Sequence, residues 1–273
     1  MNILLPPQVM RRIRLIGMVL SEAGIRPIRF AQALLGIPVY LRNLLEIYRS
    51  NNGQWEISLF PVLADRYEQS GSASSQYFLM DLWAARIIYR VAPEHIVDIG
   101  SRVDGFVAHI LSFREIEVID VRPLKSEVDG LMFRQVDMTK LNAAPEVYAD
   151  CVTSLHALEH FGLGRYGDSV NVNGWKIGLC NMARMLKIGG NLILAVPVGV
   201  ERIEFDAHRI FRPDTIIEEA RSNGLELVAY SYIDDQKQFH QEGSIECSGT
   251  LDYGCGCFHF VRSVAGHNAL AEN

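Results

Sequence analysis

From residue 76 onward the apolar positions alternate between two periods. Tyr77 to Val91 carries Leu79, Leu82, Trp83, Ile87 and Ile88 at three- and four-residue spacing, which predicts a helix with one broad apolar face. His95 to Ile99 is a short apolar run that meets Gly100, and it predicts a buried strand. Val103–Phe113 then fits a helix, Ile116–Asp120 and Leu131–Val136 fit strands, and Ala149–Leu155 a fourth strand. Asn173–Leu186 is helical in pattern, Asn191–Val196 a strand, Asp214–Asn223 a helix, and Leu225–Tyr232 and Cys257–Arg262 the last two strands. Strands alternating with helices predict an α/β fold, a doubly wound and mostly parallel sheet of seven strands with helices on both faces. No helical pattern separates the final two strands, which predicts an antiparallel edge strand.

The first 75 residues read differently. Gln8–Glu22 and Ile37–Ser50 are amphipathic, the second through Val39, Leu41, Leu44, Leu45 and Tyr48. Residues 51–75 form a connector: Asn51-Asn52-Gly53, an apolar run from Trp55 to Leu63, and a polar stretch from Glu68 to Ser75. The expected division is a helical extension with connector over 1–75 and the α/β domain over 76–273. Residues 1–50 hold seven arginines, no lysine and two acids, a charge of +5, so the remainder carries −11 to reach the total of −6. A basic amphipathic segment of this kind caps its own domain, or rests on an anionic membrane surface or a partner.

Composition narrows the class. A chain of 273 residues with 49% apolar and 21% charged residues buries one sizeable core plus an appendage. The net charge of −6 argues against a general nucleic-acid binder. The five cysteines include no CxxC pair, which argues against a disulfide framework or a zinc ribbon. In a strand, Cys255 and Cys257 would share one face. The apolar run Leu15–Leu20 is shorter than a secretory signal core, and no stretch is long enough to span a bilayer, so a cytoplasmic and at most membrane-peripheral protein is expected.

Ligands of doubly wound sheets bind beyond the carboxyl ends of the strands. Those ends carry Asp98, Gly100, Ser101 and Arg102 after the first strand, Asp120 and Arg122 after the second, and Asp137 after the third. Ser154, His156, Glu159 and His160 follow the fourth, and Pro197 and Gly199 the fifth. Gly162-Leu-Gly164-Arg165-Tyr166-Gly167-Asp168 is a loop whose glycines let it fold over a ligand, with Arg165, Tyr166 and Asp168 able to grip a hydroxyl-rich or anionic molecule. A plain surface loop fits it as well, and Trp175 suits either a site wall or the core. His156-Ala-Leu-Glu159-His160 has the spacing of an inverted zinc-peptidase motif, but that motif needs a helix and a further ligand. Here it follows a strand directly, so no metal site is expected.

The runs VDIGSRVDGFVAHIL, IEVIDVRPL, FRQVDMTKL, ADCVTSLHALEHFG and LKIGGNLILAVPVG resemble, in order and spacing, the motif series of class I S-adenosylmethionine-dependent methyltransferases, with a Rossmann-like fold over residues 76–262. DIGSRVDGFVAHI, LHALEHFGLGRYGD and RIEFDAHRIF are further similar to an uncharacterised bacterial family associated with surface-polysaccharide gene clusters. The resemblance implies S-adenosylmethionine as cofactor and S-adenosylhomocysteine as product. It assigns cofactor contacts to Asp98, Gly100, Ser101, Arg102, Gly105, Asp120, Val121, Arg122, Asp137, Met138, Leu155 and His156. Asp98 would organise the first turn or hold the amino group, Asp120 would accept the ribose hydroxyls, and Asp137 and Met138 would flank the adenine. The implied reaction is O-methylation of a sugar in a cell-surface glycan such as O-antigen, or in its nucleotide- or lipid-linked precursor. Residues 1–50 would then contact the membrane or a glycan-assembly complex. A sugar hydroxyl needs a general base, for which His156, His160 and His208 are candidates. Arg165, Tyr166, Asp168, Glu204 and Arg209 would bind the acceptor. One departure stands out: the superfamily's Gly-x-Gly-x-Gly becomes Gly100-Ser-Arg102-Val-Asp104-Gly105. A small metabolite or an amine is the alternative acceptor, and a non-catalytic binding or scaffold protein the alternative function.

Overall fold

The computed structural model describes residue 24 and residues 26–263, apart from 69, 72 and 144. The helix expected over Gln8–Glu22 lies outside the described residues. Contacts divide the chain into two compact units, 1–72 and 73–273.

In the first unit, α1 (Pro27–Ser50) starts at Pro27 rather than Ile37. Proline suits a first helical position, where its missing N–H has no partner to lose. Gly36 inside α1 does not break the helix but lets the connector approach, since a Cβ there would sit 2.1 Å from the Leu63 carbonyl oxygen. The connector holds a 3₁₀ turn over Asp65–Tyr67.

The second unit opens with α2 (Gln76–Val91), capped by the Ser75 hydroxyl, which accepts from the Phe78 N–H at 3.1 Å. There follow β1 (Ile96–Ile99), a π-helical turn (Val103–Val107) that continues into α3 (Ala108–Leu111), β2 (Ile116–Asp120), β3 (Leu131–Gln135) and β4 (Ala149–Leu155). Next come α4 (Gly174–Met185), β5 (Leu186–Val198), β6 (Arg202–Glu204), β7 (His208–Ile210) and α5 (Pro213–Ser222). The chain continues with β8 (Leu225–Ile233), β9 (Phe239–His240), α6 (Ile245–Ser248) and β10 (Gly254–Arg262).

Eight strands form one sheet in the order β3-β2-β1-β4-β5-β10-β8-β9. The five from β3 to β5 are mutually parallel, and β10 runs antiparallel to both β5 and β8. The eighth strand, absent from the expected seven, is β9, a two-residue edge piece too short to show a period. The expected strand Asn191–Val196 extends in both directions, because Leu186 and Val198 also find ladder partners.

Successive strand residues point to opposite faces. Ile96, Val118, Cys151 and Ile193 pack with Met80, Ala84 and Ile88 of α2. Val97, Ile119, Val152 and Leu192 pack with Leu179 and Met182 of α4 and Ile216 of α5. Both faces are covered, so the central strands read as continuous apolar runs. On β10, Phe258 is fully buried, 4.8 Å from the Tyr230 ring and 5.8 Å from that of Phe260. Phe258→Ala should therefore destabilise the chain by about 3–5 kcal/mol, read as a lower urea midpoint with an unchanged slope.

Candidate functional site

The first strand leaves the sheet through Gly100, at φ +71 and so close to the β4 loop that a Cβ would lie 2.9 Å from that of Ala157. Asp98, fully buried, organises this turn. Its Oδ2 accepts from the Ser101 N–H at 2.9 Å, and its Oδ1 accepts from the hydroxyls of Ser101 and Thr153, each at 2.6 Å. The Ser101 hydroxyl accepts in turn from the Leu155 N–H at 3.0 Å, and the Ser154 hydroxyl donates to the Ile99 carbonyl at 3.0 Å. The ends of β1 and β4 are thus laced together through one carboxylate, whose burial pushes its pKa up to about 6.

Above this turn lies a cleft of about 530 Å³, lined from the ends of β1 to β4. Of the residues expected at the site it gathers Gly100, Ser101, Arg102, Asp120, Val121, Arg122, Asp137, Met138, Leu155, His156, His160, Tyr166 and Asp168. Asp98, Gly105, Arg165, Glu204, His208 and Arg209 are not among its lining. Tyr77, Leu124, Phe133 and Thr139 line it without having been singled out. Tyr77 belongs to the first turn of α2, where helical periodicity distinguishes core from surface but not a site.

Asp120 is engaged by its neighbour. Arg122 donates from Nη2 to Oδ2 at 2.7 Å and from Nε to Oδ1 at 3.0 Å, while its backbone N–H reaches Oδ1 at 2.8 Å. The same guanidinium lies 4.4 Å from the centre of the Tyr166 ring, and that of Arg165 lies 5.3 Å away. The loop holding Tyr166 turns on Gly162, Gly164 and Gly167, all at positive φ. Asp168 faces inward and organises it, accepting from the N–H groups of Gly162 at 2.7 Å and Tyr166 at 3.3 Å. Asp137 likewise folds its own turn, accepting from the Thr139 N–H at 3.0 Å and hydroxyl at 2.6 Å. Arg102 and Asp104, which replace glycines of the superfamily pattern, pair with each other at 2.7 Å on the surface.

The three candidate histidines differ in what remains free on each ring. His156, at φ +54, has both nitrogens taken: Nδ1 is 3.1 Å from Glu159 Oε1 and Nε2 is 3.2 Å from Cys255 Sγ. Burial works against its charge, but Cys255 and Glu159 outweigh it and hold its pKa well above the ordinary imidazole value. Glu159, 1% exposed, is correspondingly held low despite burial, and its Oε2 has no hydrogen-bond partner among the described residues. The two form a buried imidazolium–carboxylate pair. His160 lines the cleft and sits 2.7 Å through Nδ1 from the Ala207 carbonyl. A carbonyl only accepts, so Nδ1 carries the proton and Nε2 keeps its lone pair. Burial lowers the pKa of His160, which favours the neutral ring. His208 stands 3.4 Å from Glu204, its pKa also lowered by burial.

Arg209, expected to bind an acceptor, is instead buried as a strut. Its Nη1 donates to the carbonyls of Phe161 at 2.6 Å and Glu159 at 3.2 Å, and its Nη2 to that of Val172 at 3.2 Å. Glu204 is held by Arg202 at 2.9 Å. The segment from His156 to His160 folds as a strand end and a 3₁₀ turn (Leu158–His160), and no group of three or more metal-ligating side chains occurs among the described residues. Cys255 and Cys257 do share one face of β10, their sulfurs 4.0 Å apart.

Because the folded state binds a proton on Asp98 more tightly than the unfolded chain does, the associated stability is present below about pH 3.8 and is lost as pH rises through about 6. Asp98→Asn should flatten that part of the stability–pH curve, measured as urea midpoints between those values, and should lower stability overall, because the amide nitrogen cannot accept the Ser101 N–H that Oδ2 accepts.

Comparison with solved structures places the fold. The [4+2]-cyclase SpnF is 15% identical, with 71% of this chain and 86% of that one aligned at a TM-score of 0.52. That likeness establishes a shared fold and nothing about chemistry. The Burkholderia thailandensis 1,6-didemethyltoxoflavin-N1-methyltransferase, solved with 1,6-didemethyltoxoflavin and S-adenosylhomocysteine, is 12% identical over 67% of this chain and 78% of its own, with a TM-score of 0.48. The N-methyltransferase NodS of Bradyrhizobium japonicum, solved with S-adenosylhomocysteine, is 14% identical over 69% and 88%, with a TM-score of 0.47. No curated protein sequence matches the chain. A family model does, over residues 103–242: the chain belongs to the family described as Caenorhabditis protein of unknown function, DUF268.

Proposed function

We propose that the chain is an S-adenosylmethionine-dependent methyltransferase that methylates a sugar hydroxyl of a glycan or of its nucleotide- or lipid-linked precursor, leaving S-adenosylhomocysteine. The observation that carries the reading is the convergence of the motif series on one cleft. Gly100, Asp120, the adjacent Asp137 and Met138, and His156 stand at or just past the ends of four different strands and line the same 530 Å³ space. That volume falls in the range of small-molecule sites, roughly 300–1,000 Å³. The residues suit the cofactor's parts. The Gly100 turn presents bare backbone, the Asp120 carboxylate can accept two hydroxyl protons, and Met138 with Val121 and Phe133 offers an apolar slot for a base.

When bound, S-adenosylmethionine supplies an electrophilic methyl group on a good leaving group. What remains for the protein is to align the acceptor and remove its proton. Among the three histidines, His160 fits the base: it faces the cleft, its pKa is lowered, and its Nε2 lone pair is 3.7 Å from Glu159 Oε1, which stabilises the imidazolium once formed. His156, with both nitrogens engaged, instead shapes the cleft wall. Tyr166, which lines the cleft, and Arg165 beside it, whose Nη1 donates to the Ala207 carbonyl at 2.8 Å, are assigned in this reading to the acceptor.

A non-catalytic binding protein is the second reading, favoured by one observation: Arg122 occupies both oxygens of Asp120. Calorimetric titration with S-adenosylmethionine separates the two. Binding near 1 μM, about −8 kcal/mol, with at least a tenfold loss in Asp120→Ala, is the expected result. Absence of binding to the native chain at millimolar ligand overturns the methyltransferase. With binding established, His160→Gln should lower kcat by about 10²–10⁴-fold while leaving the cofactor Kd unchanged, measured by methyl-label transfer to nucleotide-sugar acceptors. Label entering only small amines would reassign the acceptor.

A further inference from the structure

The first unit carries far more uncovered apolar surface than a helix packed only on itself requires. Along α1, Phe30, Leu34, Ile37, Leu41, Leu45 and Tyr48 recur every three or four residues, and each is between 39% and 67% exposed. At about 100° per residue, these six fall within an arc of roughly 80°. On the far side of the helix, Gly36 is buried against the Leu63 carbonyl. Within this unit the connector thus meets α1 on the side away from the stripe. Past the helix, Trp55 and Phe60 are 77% and 83% exposed. Monomeric soluble proteins rarely leave such a contiguous patch uncovered.

Charge selects the occupant. Arg29 is held by Asp65 at 3.6 Å and Glu68 at 3.3 Å. Arg42 and Arg49 border the apolar arc and have no carboxylate partner among the described residues. Residues 1–50 together carry a net +5, with arginine the only basic residue type. A second copy of α1 would bring three more arginines and only one acid, Glu46. A lipid interface accepts a broad apolar face, lets arginines reach back to anionic headgroups, and favours aromatic side chains at the boundary. The helix is not apolar enough to cross a bilayer.

We propose that α1 lies in the plane of an anionic lipid surface, with the Phe30–Tyr48 stripe inserted among the acyl chains and Arg42 and Arg49 at the headgroups. The inference is independent of the methyltransferase reading. The test is co-sedimentation of the full chain with phosphatidylcholine vesicles, with and without about 30% phosphatidylserine. Binding to the anionic vesicles at least about tenfold tighter than to the neutral ones, and weakened by salt, is expected. The double variant Leu34→Glu/Leu41→Glu should abolish it, and Arg42→Glu/Arg49→Glu should remove its salt dependence. Both variants should keep the native circular dichroism spectrum and urea midpoint of the α/β unit. Failure of the native chain to sediment with anionic vesicles overturns the proposal, as does binding that the leucine variant leaves intact. A native dimer in light scattering that the leucine variant turns into a monomer also overturns it, by giving the stripe to a second copy.

Discussion

One buried carboxylate sets the geometry on which the cleft depends. Asp98 sits under the first turn with three donors on its two oxygens, two from Ser101 in the turn after β1 and one from Thr153 on the adjacent β4, some fifty residues on in sequence. Burying a carboxylate costs several kcal/mol unless it is well bonded, so the three donors are held tightly in place. Ser101 passes the constraint on to Leu155, and His156 follows in a left-handed conformation that a non-glycine residue adopts only when its surroundings impose it. The position of the His156 ring is therefore decided at Asp98, one layer below the surface it lines.

A second buried pair reinforces this floor. His156 and Glu159 neutralise each other inside the protein, and Cys255 holds the outer nitrogen from the antiparallel half of the sheet. Arg209 reaches from β7 to the carbonyls of the same turn. The 3₁₀ turn after β4 is fastened from three directions, whereas the glycine loop beyond it is fastened chiefly by Asp168 and by contacts of Tyr166 with two guanidinium groups and the His160 ring.

The sheet was legible in the sequence because IVDI, IEVID and ADCVTSL are short, β-branched and buried on both faces, and because glycine and charge punctuate their ends. The places of Asp120, Asp137 and His156 at the cleft followed from strand ends alone. Other features carried no periodic signal. The β6–β7 hairpin is three residues a side and mixes Arg, Ile, Glu and His, so no period of two could emerge. Arg209 looked like a binding residue because residue type alone does not tell a guanidinium that meets a ligand from one that meets carbonyls. The Arg122–Asp120 pair bridges positions two apart at a strand end, where a sequence shows two polar residues and not their bond. At α1, Gly36 gave no signal of its own in the sequence, and it is where the Leu63 backbone approaches the helix.

The slot that β10 fills has a consequence for how the chain is made. β5 and β8 flank it and do not touch in the ladder, so each presents an open edge until residues 254–262 arrive. During synthesis every other strand leaves the ribosome before the one that joins them, and the nascent chain carries two unpaired hydrogen-bonding edges for that interval. The apolar residues Phe258 and Phe260, together with Cys255 and Cys257, close both edges in a single step. The half-finished chain is thus the form in which this protein is most open to mispairing and to chaperone capture.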